Sequence, residues 1–431
     1  MKKSLCILSL AVWMSAFSTL AYAQKSKPAI LKADAKSEAA ALYGKAAKKG
    51  DAKAQYQLGD CYENGENGVA QNYQEAIKWY EMAASQNHPR ACGRLAVCYE
   101  YGHGIERDMA KAVDYYKKAA ELGDTVSTYI LGLFYLGENV NPEDRNLFTL
   151  PDYPEAAKWL ELAAGYGYPD AAYYLAELYE TGTGVEQNFE KAAQLYEKGS
   201  DILPEATYKL ALCYAYGRGK EKNMEEAAGY FEAAANRGHE EAKMEVANCY
   251  YLGAGVQQDF AKAAEWYAKA ADDGDADAMN ALGVIYITDE CGMQDQDKAL
   301  QWFKKASEAG HVKAQFNYAM CLMEGIGCEK NQEDAVKWYR AAALQGNADA
   351  QTNLAACYLL GEGVDVDPMK AVEWAKLAAE QGNANALYML GGCYLDGVGV
   401  EKNATEAVNC FSKAAEMGHA LSAEELKRLG K

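Results

Sequence analysis

The sequence lacks the short patterns that anchor hydrolytic or metal chemistry: its 431 residues hold no HExxH, no paired CxxC and no GxSxG. Each pattern sets a nucleophile, a base or a ligand set at a spacing that one helix or turn aims at one point. Their absence removes the local footing for those reaction classes. Positive charge is also in short supply. Lys and Arg number 43 against 62 Asp and Glu, a formal net charge of −19, and losing Lys2 and Lys3 with a leader makes the rest more negative still. Such a chain repels phosphate backbones and anionic lipid, which argues against a nucleic-acid partner. Histidine is rare, at five. Beyond the opening segment no apolar run is long enough to cross a bilayer, so no integral membrane segment is expected after leader cleavage.

What the sequence has is a period. Gly238, Gly274, Gly310, Gly346, Gly382 and Gly418 are spaced 36 apart, and so are Trp266, Trp302, Trp338 and Trp374. Within one period, Glu240 to Asp275, Ala242, Val246, Cys249 and Tyr250 share one helical face, and Ala263, Tyr267, Ala270 and Ala271 repeat that spacing. Gly253 and Gly255 supply the turn between the two helices. Length alone suggests about three globular domains at ~150 residues each. The fixed period overrules that and predicts an all-α solenoid of about ten 36-residue helix-turn-helix repeats, each covering the apolar face its neighbour cannot bury alone.

The ends read differently. Residues 1–23 carry two lysines, an apolar run and Ala21-Tyr22-Ala23, the pattern of a cleaved signal peptide, which predicts a periplasmic or secreted protein. Residues 24–36 read as a linker, 37–50 as an N-terminal capping helix, 51–419 as ten repeats and 420–431 as a C-terminal capping helix, so the array is expected to be complete. The third repeat carries an insertion over 137–154 with three prolines and the exposed-looking Leu147, Phe148 and Leu150. Insertions in repeat arrays map to loops at one edge, so Phe148 is a candidate accessory contact.

The motif Leu390-Gly391, Tyr394, Gly397, Gly399-Val400, with Lys262-Ala263 and Trp266-Tyr267 in an earlier repeat, resembles the Sel-one-like repeats, relatives of the tetratricopeptide repeats, over roughly 37–431. The resemblance implies a right-handed α/α superhelix whose first helices line a concave face and which acts as an adaptor for protein complexes. Some exported relatives are cysteine-rich, with cysteines eight residues apart and a proposed penicillin-binding or β-lactamase activity. Cys92 resembles one half of such a pair, but Ala84 stands where the other would be, and that activity loses its support here. Other relatives scaffold exopolysaccharide secretion, which makes a glycan-binding scaffold the alternative reading and polysaccharide a second partner class.

Twelve cysteines in an exported chain would ordinarily suggest a disulfide framework. Cys61, Cys98, Cys213, Cys249, Cys321, Cys357 and Cys393, however, share one first-helix position that other repeats fill with Phe134, Leu178 or Ile285. A site that exchanges Cys for Phe, Leu and Ile is a core site. Cys291 and Cys328 sit at neighbouring turns and form the one inter-repeat disulfide candidate, with Cys393–Cys410 behind it. His88, His239, His311 and His419 close their repeats where others carry Asp124, Asp275, Asn347 or Asn383, which predicts helix capping and not metal ligation. The Gly-x-Gly turns follow helices and recur, so they are turn chemistry and not phosphate cradles. No cofactor and no metal site is expected.

A partner would meet first-helix positions free of core duty. One reads Tyr56, Gly93, Tyr129, Tyr173, Tyr208, Met244, Asn280, Phe316, Thr352 and Tyr388; four residues on stand Asp60, Glu177 and Asn248 in their repeats. Aromatics in such a groove anchor a peptide or helix at low entropy cost. The alternative is that these rings pack between neighbouring first helices. Tyr129, Tyr173 and Tyr208 with Glu177 form the expected centre. The reading is an exported, non-enzymatic scaffold that binds a protein or peptide client.

Overall fold

The computed structural model describes residues 41, 43–138 and 140–431. The expected leader, the linker 24–36 and the start of the N-terminal cap lie outside the described residues. Among the described residues all regular structure is helical, with no strand. The chain forms two compact units, one ending at Asn223 and one beginning at Met224.

In the first unit a helical stretch over 43–48 leads into α1 (Ala52–Asn64), α2 (Tyr73–Ser85), α3 (Pro89–Tyr101), α4 (Met109–Glu121), α5 (Thr125–Leu136), the short α6 (Pro142–Phe148), α7 (Tyr153–Gly165), α8 (Pro169–Thr181), α9 (Phe189–Ser200) and α10 (Pro204–Tyr216). The second unit runs α11 (Met224–Asn236), α12 (Glu240–Leu252), α13 (Phe260–Asp272), α14 (Ala276–Ile287), a 3-10 turn at Asp289–Cys291, α15 (Gln296–Glu308), α16 (Val312–Glu324), α17 (Gln332–Leu344), α18 (Ala348–Leu360), α19 (Pro368–Glu380), α20 (Ala384–Asp396), α21 (Ala404–Glu416) and α22 (Ala420–Arg428). Within each unit the first helix of a repeat packs on its own second helix, and that second helix packs on the next first helix. Each unit is therefore a helical solenoid.

Local chemistry sets the helix ends. Asp51 accepts the amide hydrogen of Ala54 at the start of α1, Asp108 that of Lys111 at the start of α4, and Asn383 that of Ala386 at the start of α20. First helices close on a left-handed glycine such as Gly361 (φ 75°). The second glycine of the turn has another duty. A Cβ at Gly363 would collide with the Gln332 carbonyl oxygen of the preceding repeat, so the turn rests its backbone directly on the start of α17.

Small residues let the helices approach. A Cβ on Gly391 would stand 2.5 Å from the Phe411 ring, and one on Gly132 would stand 2.7 Å from Leu160 Cδ2. The large rings Tyr80, Tyr196, Phe303 and Phe411 are fully buried among alanines. Neighbouring repeats are also joined by glutamines. Gln351 Nε2 donates to Ala343 O of the preceding repeat at 3.1 Å, and its Oε1 accepts from Gln381 of its own repeat at 2.8 Å. The pair Gln55 and Gln86 repeats this in the first unit, and Gln315 and Gln345 repeat it in the second. The buried amides Gln55, Gln315 and Gln351 thereby find partners inside the fold, as a buried amide must.

The third-repeat insertion is ordered as α6. Its buried Asp144 pairs with Arg107 of the second repeat, and Asn141 caps it by accepting from the Asp144 amide at 2.8 Å. Phe148, expected as an exposed accessory contact, is half-buried instead, edge-on to Phe134 with centroids 5.1 Å apart. Turning the ring into the repeat removes its apolar area from water. Leu147 remains exposed.

Candidate functional site

A polar device recurs beneath the first helices. Tyr80 on α2 donates its hydroxyl to Glu63 Oε2 on α1 at 2.5 Å, and Arg94 on α3 approaches the same oxygen at 2.8 Å. Tyr196 on α9 does the same to Glu180 at 2.6 Å, with Lys209 on α10 at 3.0 Å. Tyr116 donates to Glu100 at 2.6 Å, but Ile130 stands at the position that Arg94 and Lys209 hold in their helices. Burial pushes the Glu100 carboxyl above the usual range, opposed by the bonds from Tyr116 and Tyr101. In the second unit amides enter these contacts: Tyr267 donates to Asn248 Oδ1 at 2.7 Å, Asn353 to the Tyr339 hydroxyl at 3.2 Å, and Asn317 to Asn280 at 3.0 Å, while the one acid beside Asn248, Glu245, is raised by burial.

The expected contact residues fall into two groups. Tyr129 is buried, at 6% exposure, and stacks on Tyr168 at 5.1 Å. It belongs to the core and not to an open groove, because the ring slots against the residue that opens the next first helix. Tyr56, Tyr173, Tyr208, Met244, Asn248, Asn280, Phe316, Tyr388 and Glu177 are half-buried. Some of these also pack along the array: Tyr56 stacks on His88 at 4.9 Å, Tyr388 meets His419 at 4.9 Å, and Phe316 lies 5.9 Å from Tyr339. Position along α8 brings Tyr173 and Glu177 together, and the Tyr173 hydroxyl donates to Glu177 Oε1 at 3.0 Å.

Around these two the first unit gathers negative charge. Tyr174 is half-buried with Tyr173 edge-on at 5.7 Å, and its hydroxyl is pushed up to about 12 by burial and then by Glu138, Asp170, Glu177 and Glu205. Burial raises the Asp170 carboxyl, with Glu205 adding to it. Burial also raises Glu177, against the Tyr173 bond and Lys209 at 3.9 Å. Among the described residues Glu138, Asp170 and Glu205 make no ion pair, and Lys209 is already held by Glu180. Sequence reasoning passed over Tyr174 and Asp170. The available signal was the neighbouring first-helix position, which varies as Gln57, Arg94, Ile130, Tyr174 and Lys209 and so is also free of a fixed core duty.

The reactive side chains have structural employment. Cys61, Cys98, Cys213, Cys249, Cys321, Cys357 and Cys393 are buried, as expected of a core position, and burial pushes the Cys98 thiol up to about 12. The expected Cys291–Cys328 bridge is not formed. Both are free thiols: Cys291 lies 3.3 Å from Thr288 Oγ1, while Cys328 is directed at the Cys321 carbonyl oxygen at 3.7 Å. Each sulfur is occupied on its own repeat. Cys393 and Cys410 are likewise free and buried in one apolar cluster. His88, His239, His311 and His419 cap their helices through a ring nitrogen that accepts the backbone N–H three residues on, as the sequence predicted.

Comparison with known proteins gives the repeat a family. The description Sel1 repeat matches residues 29–51, 52–88, 89–124, 129–165, 169–201, 204–239, 240–275, 276–311, 312–347, 348–383 and 384–419. Among solved structures, the chain is similar to a protective antigen of uropathogenic Escherichia coli that displays an SLR fold. That likeness has a TM-score of 0.60 and 29% identity, and covers 90% of each chain. It is also similar to a Sel1 repeat protein from Oxalobacter formigenes, with a TM-score of 0.59 and 27% identity over 73% of this chain and 90% of that one. Curated relatives include chitin synthase regulatory factor 2 of Schizosaccharomyces pombe, 31% identical over 34% of this chain and 29% of that protein. Chitin synthase regulator SKT5 of Saccharomyces cerevisiae is 34% identical over 35% of this chain and 21% of that protein. The chain thus spans under a third of the length of either regulator.

Proposed function

The chain belongs to the Sel1 repeat family, and from that premise we propose that it is an exported scaffold that binds a client protein through the first-helix face of its first unit. The single observation that carries this is the group formed by Tyr173, Tyr174, Asp170 and Glu177: half-buried rings beside carboxylates that burial and then neighbouring acids, Glu205 at Asp170 and Glu180 and Glu138 at Glu177, hold above their usual range. A client segment bearing Lys or Arg would relieve that accumulated charge and find aromatic faces for its aliphatic stem and its cation. The second unit's face carries Met244, Asn280, Phe316, Thr352 and Tyr388 at the position of Tyr173, and we assign it a supporting role.

A scaffold fits better than an enzyme because the side chains able to do chemistry already have work. The first-helix cysteines pack, the repeat-closing histidines cap, and the buried acids accept from tyrosine hydroxyls. Export rests on the pattern of residues 1–23, and N-terminal sequencing of the mature protein beginning at Gln24 would support it.

Placing a photo-crosslinking amino acid at Tyr174 in the native cell tests the site. The expected outcome is one dominant protein adduct that is lost when the probe moves to Lys158 on α7, an exposed second-helix position. The same adducts from both positions, or none from Tyr174, would remove this face from the reading. A probe at Asn317 then tests whether the client follows the first-helix face of the second unit.

A further inference from the structure

The turn of the eighth repeat holds a cysteine pair that the proposed client site does not use. The residue after each Gly-x-Gly turn is aliphatic in most repeats: Ile105, Val185, Val256, Val364 and Val400. That residue packs against the core of the array. Ile105 packs on the cluster that holds Cys98, and Val364 and Val400 pack on the cluster that holds Cys357 and Cys393. In the eighth repeat the same position is Cys328, and the first-helix residue seven before it is Cys321. No other repeat places cysteine at both positions. The Cys328 thiol points at the Cys321 carbonyl oxygen, 3.7 Å away, and both sulfurs are free.

We propose that Cys321 and Cys328 form a disulfide within the eighth repeat, stapling α16 to the turn that follows it, when the protein meets a disulfide-bearing oxidant. Cys328 is the half-buried member and Cys321 the fully buried one, which orders the steps. The Cys328 thiolate, its proton released to solvent, attacks a sulfur of the oxidant's disulfide and expels one thiolate. Cys321, deprotonated in turn, attacks the Cys328 sulfur, closes the intramolecular bond and expels the second thiolate. Two protein thiols are oxidised and one external disulfide is reduced to two thiols, so electrons and protons balance. Burial and the neighbouring Cys328 push the Cys321 thiol up to about 12, so the closing step quickens as pH rises.

Both cysteines lie between Lys313 and Lys330 and share one tryptic peptide, which makes the test direct. The full-length native protein is incubated with oxidised glutathione, quenched with an alkylating agent in denaturant, and mapped without reduction. The expected result is a peptide lighter by two hydrogens and carrying no alkyl group, with two fewer titratable thiols in the whole protein. Recovery of both cysteines alkylated would overturn the proposal, as would Cys328 held in a lasting glutathione adduct or bridged to Cys291. The variant Cys328→Val restores the residue found in neighbouring turns. It should abolish the loss of two thiols, and persistence of that loss in it would also overturn the proposal.

Discussion

Nδ1 of His88 accepts the amide hydrogen of Ala91 at 3.3 Å while its ring stacks on Tyr56, so one imidazole both caps α3 and joins two repeats. Capping demands a bare nitrogen, which ties this contact to protonation. Burial, and then Arg90, hold the His88 pKa below its ordinary value, so the fold favours the neutral ring. The sign follows from linkage. A group whose folded pKa is depressed contributes stability that is present above the unfolded value near ~6.5 and is lost as pH falls below it. Hydrogen exchange of the amides around Ala91 should therefore speed up between neutral and mildly acidic pH, beyond the intrinsic change. His88→Asn keeps a capping oxygen and should flatten that pH response. His88→Ala should cost about 1 kcal/mol at neutral pH from loss of the cap. A pH response unchanged in His88→Asn would assign it to another group.

At the scale of the element, helix α20 offers two adjacent glycines with opposite surroundings. A Cβ on Gly391 would press on the Phe411 ring at 2.5 Å, whereas one on Gly392 meets nothing within 4 Å. Gly391→Ala should destabilise the array by roughly 1–3 kcal/mol through overpacking. Gly392→Ala should stabilise it by up to about 1 kcal/mol through helix propensity. Chemical denaturation of the two variants side by side reads the difference, and equal shifts would contradict the packing. The same pair marks what was legible beforehand. The helix pattern, the repeat period, the alanine and glycine core, the cysteine core position and the capping histidines all follow from spacing, because helix geometry converts spacing into faces. The fate of Tyr129 and Phe148 does not, since a ring at a helix edge or in an insertion turns toward solvent or toward the neighbouring helices with no change in period. The Cys291–Cys328 bridge failed for a related reason: nearness in the repeat pattern does not fix the direction of a side chain in a turn.

For the molecule as a whole, the distribution of charge decides what it can recognise. A chain with a net charge of −19 carries more acids than bases, and exposed pairs such as Lys78–Glu75 add little to stability. The group around Tyr174 differs because Asp170 and Glu177 are half-buried beside other acids, and ionising them in the free protein works against both burial and like charge. Raised carboxyl pKa values mean that the free protein takes up protons there at a higher pH than an ordinary surface acid does. A cationic client competes with those protons, so affinity should be greatest at neutral pH and fall on acidification in a window that opens above the usual carboxylate range. Added salt should weaken binding chiefly through slower association, since the charges that steer encounter are screened beyond about 8–10 Å. Asp170→Asn with Glu177→Gln should flatten the pH profile and reduce affinity together, whereas the same changes at exposed Glu75 should do neither. Titration of the crosslinked client against both variants by calorimetry at two pH values makes the measurement. An affinity indifferent to pH and salt would mean that the client reads the tyrosine rings alone, and the acids would then be bystanders at an apolar contact.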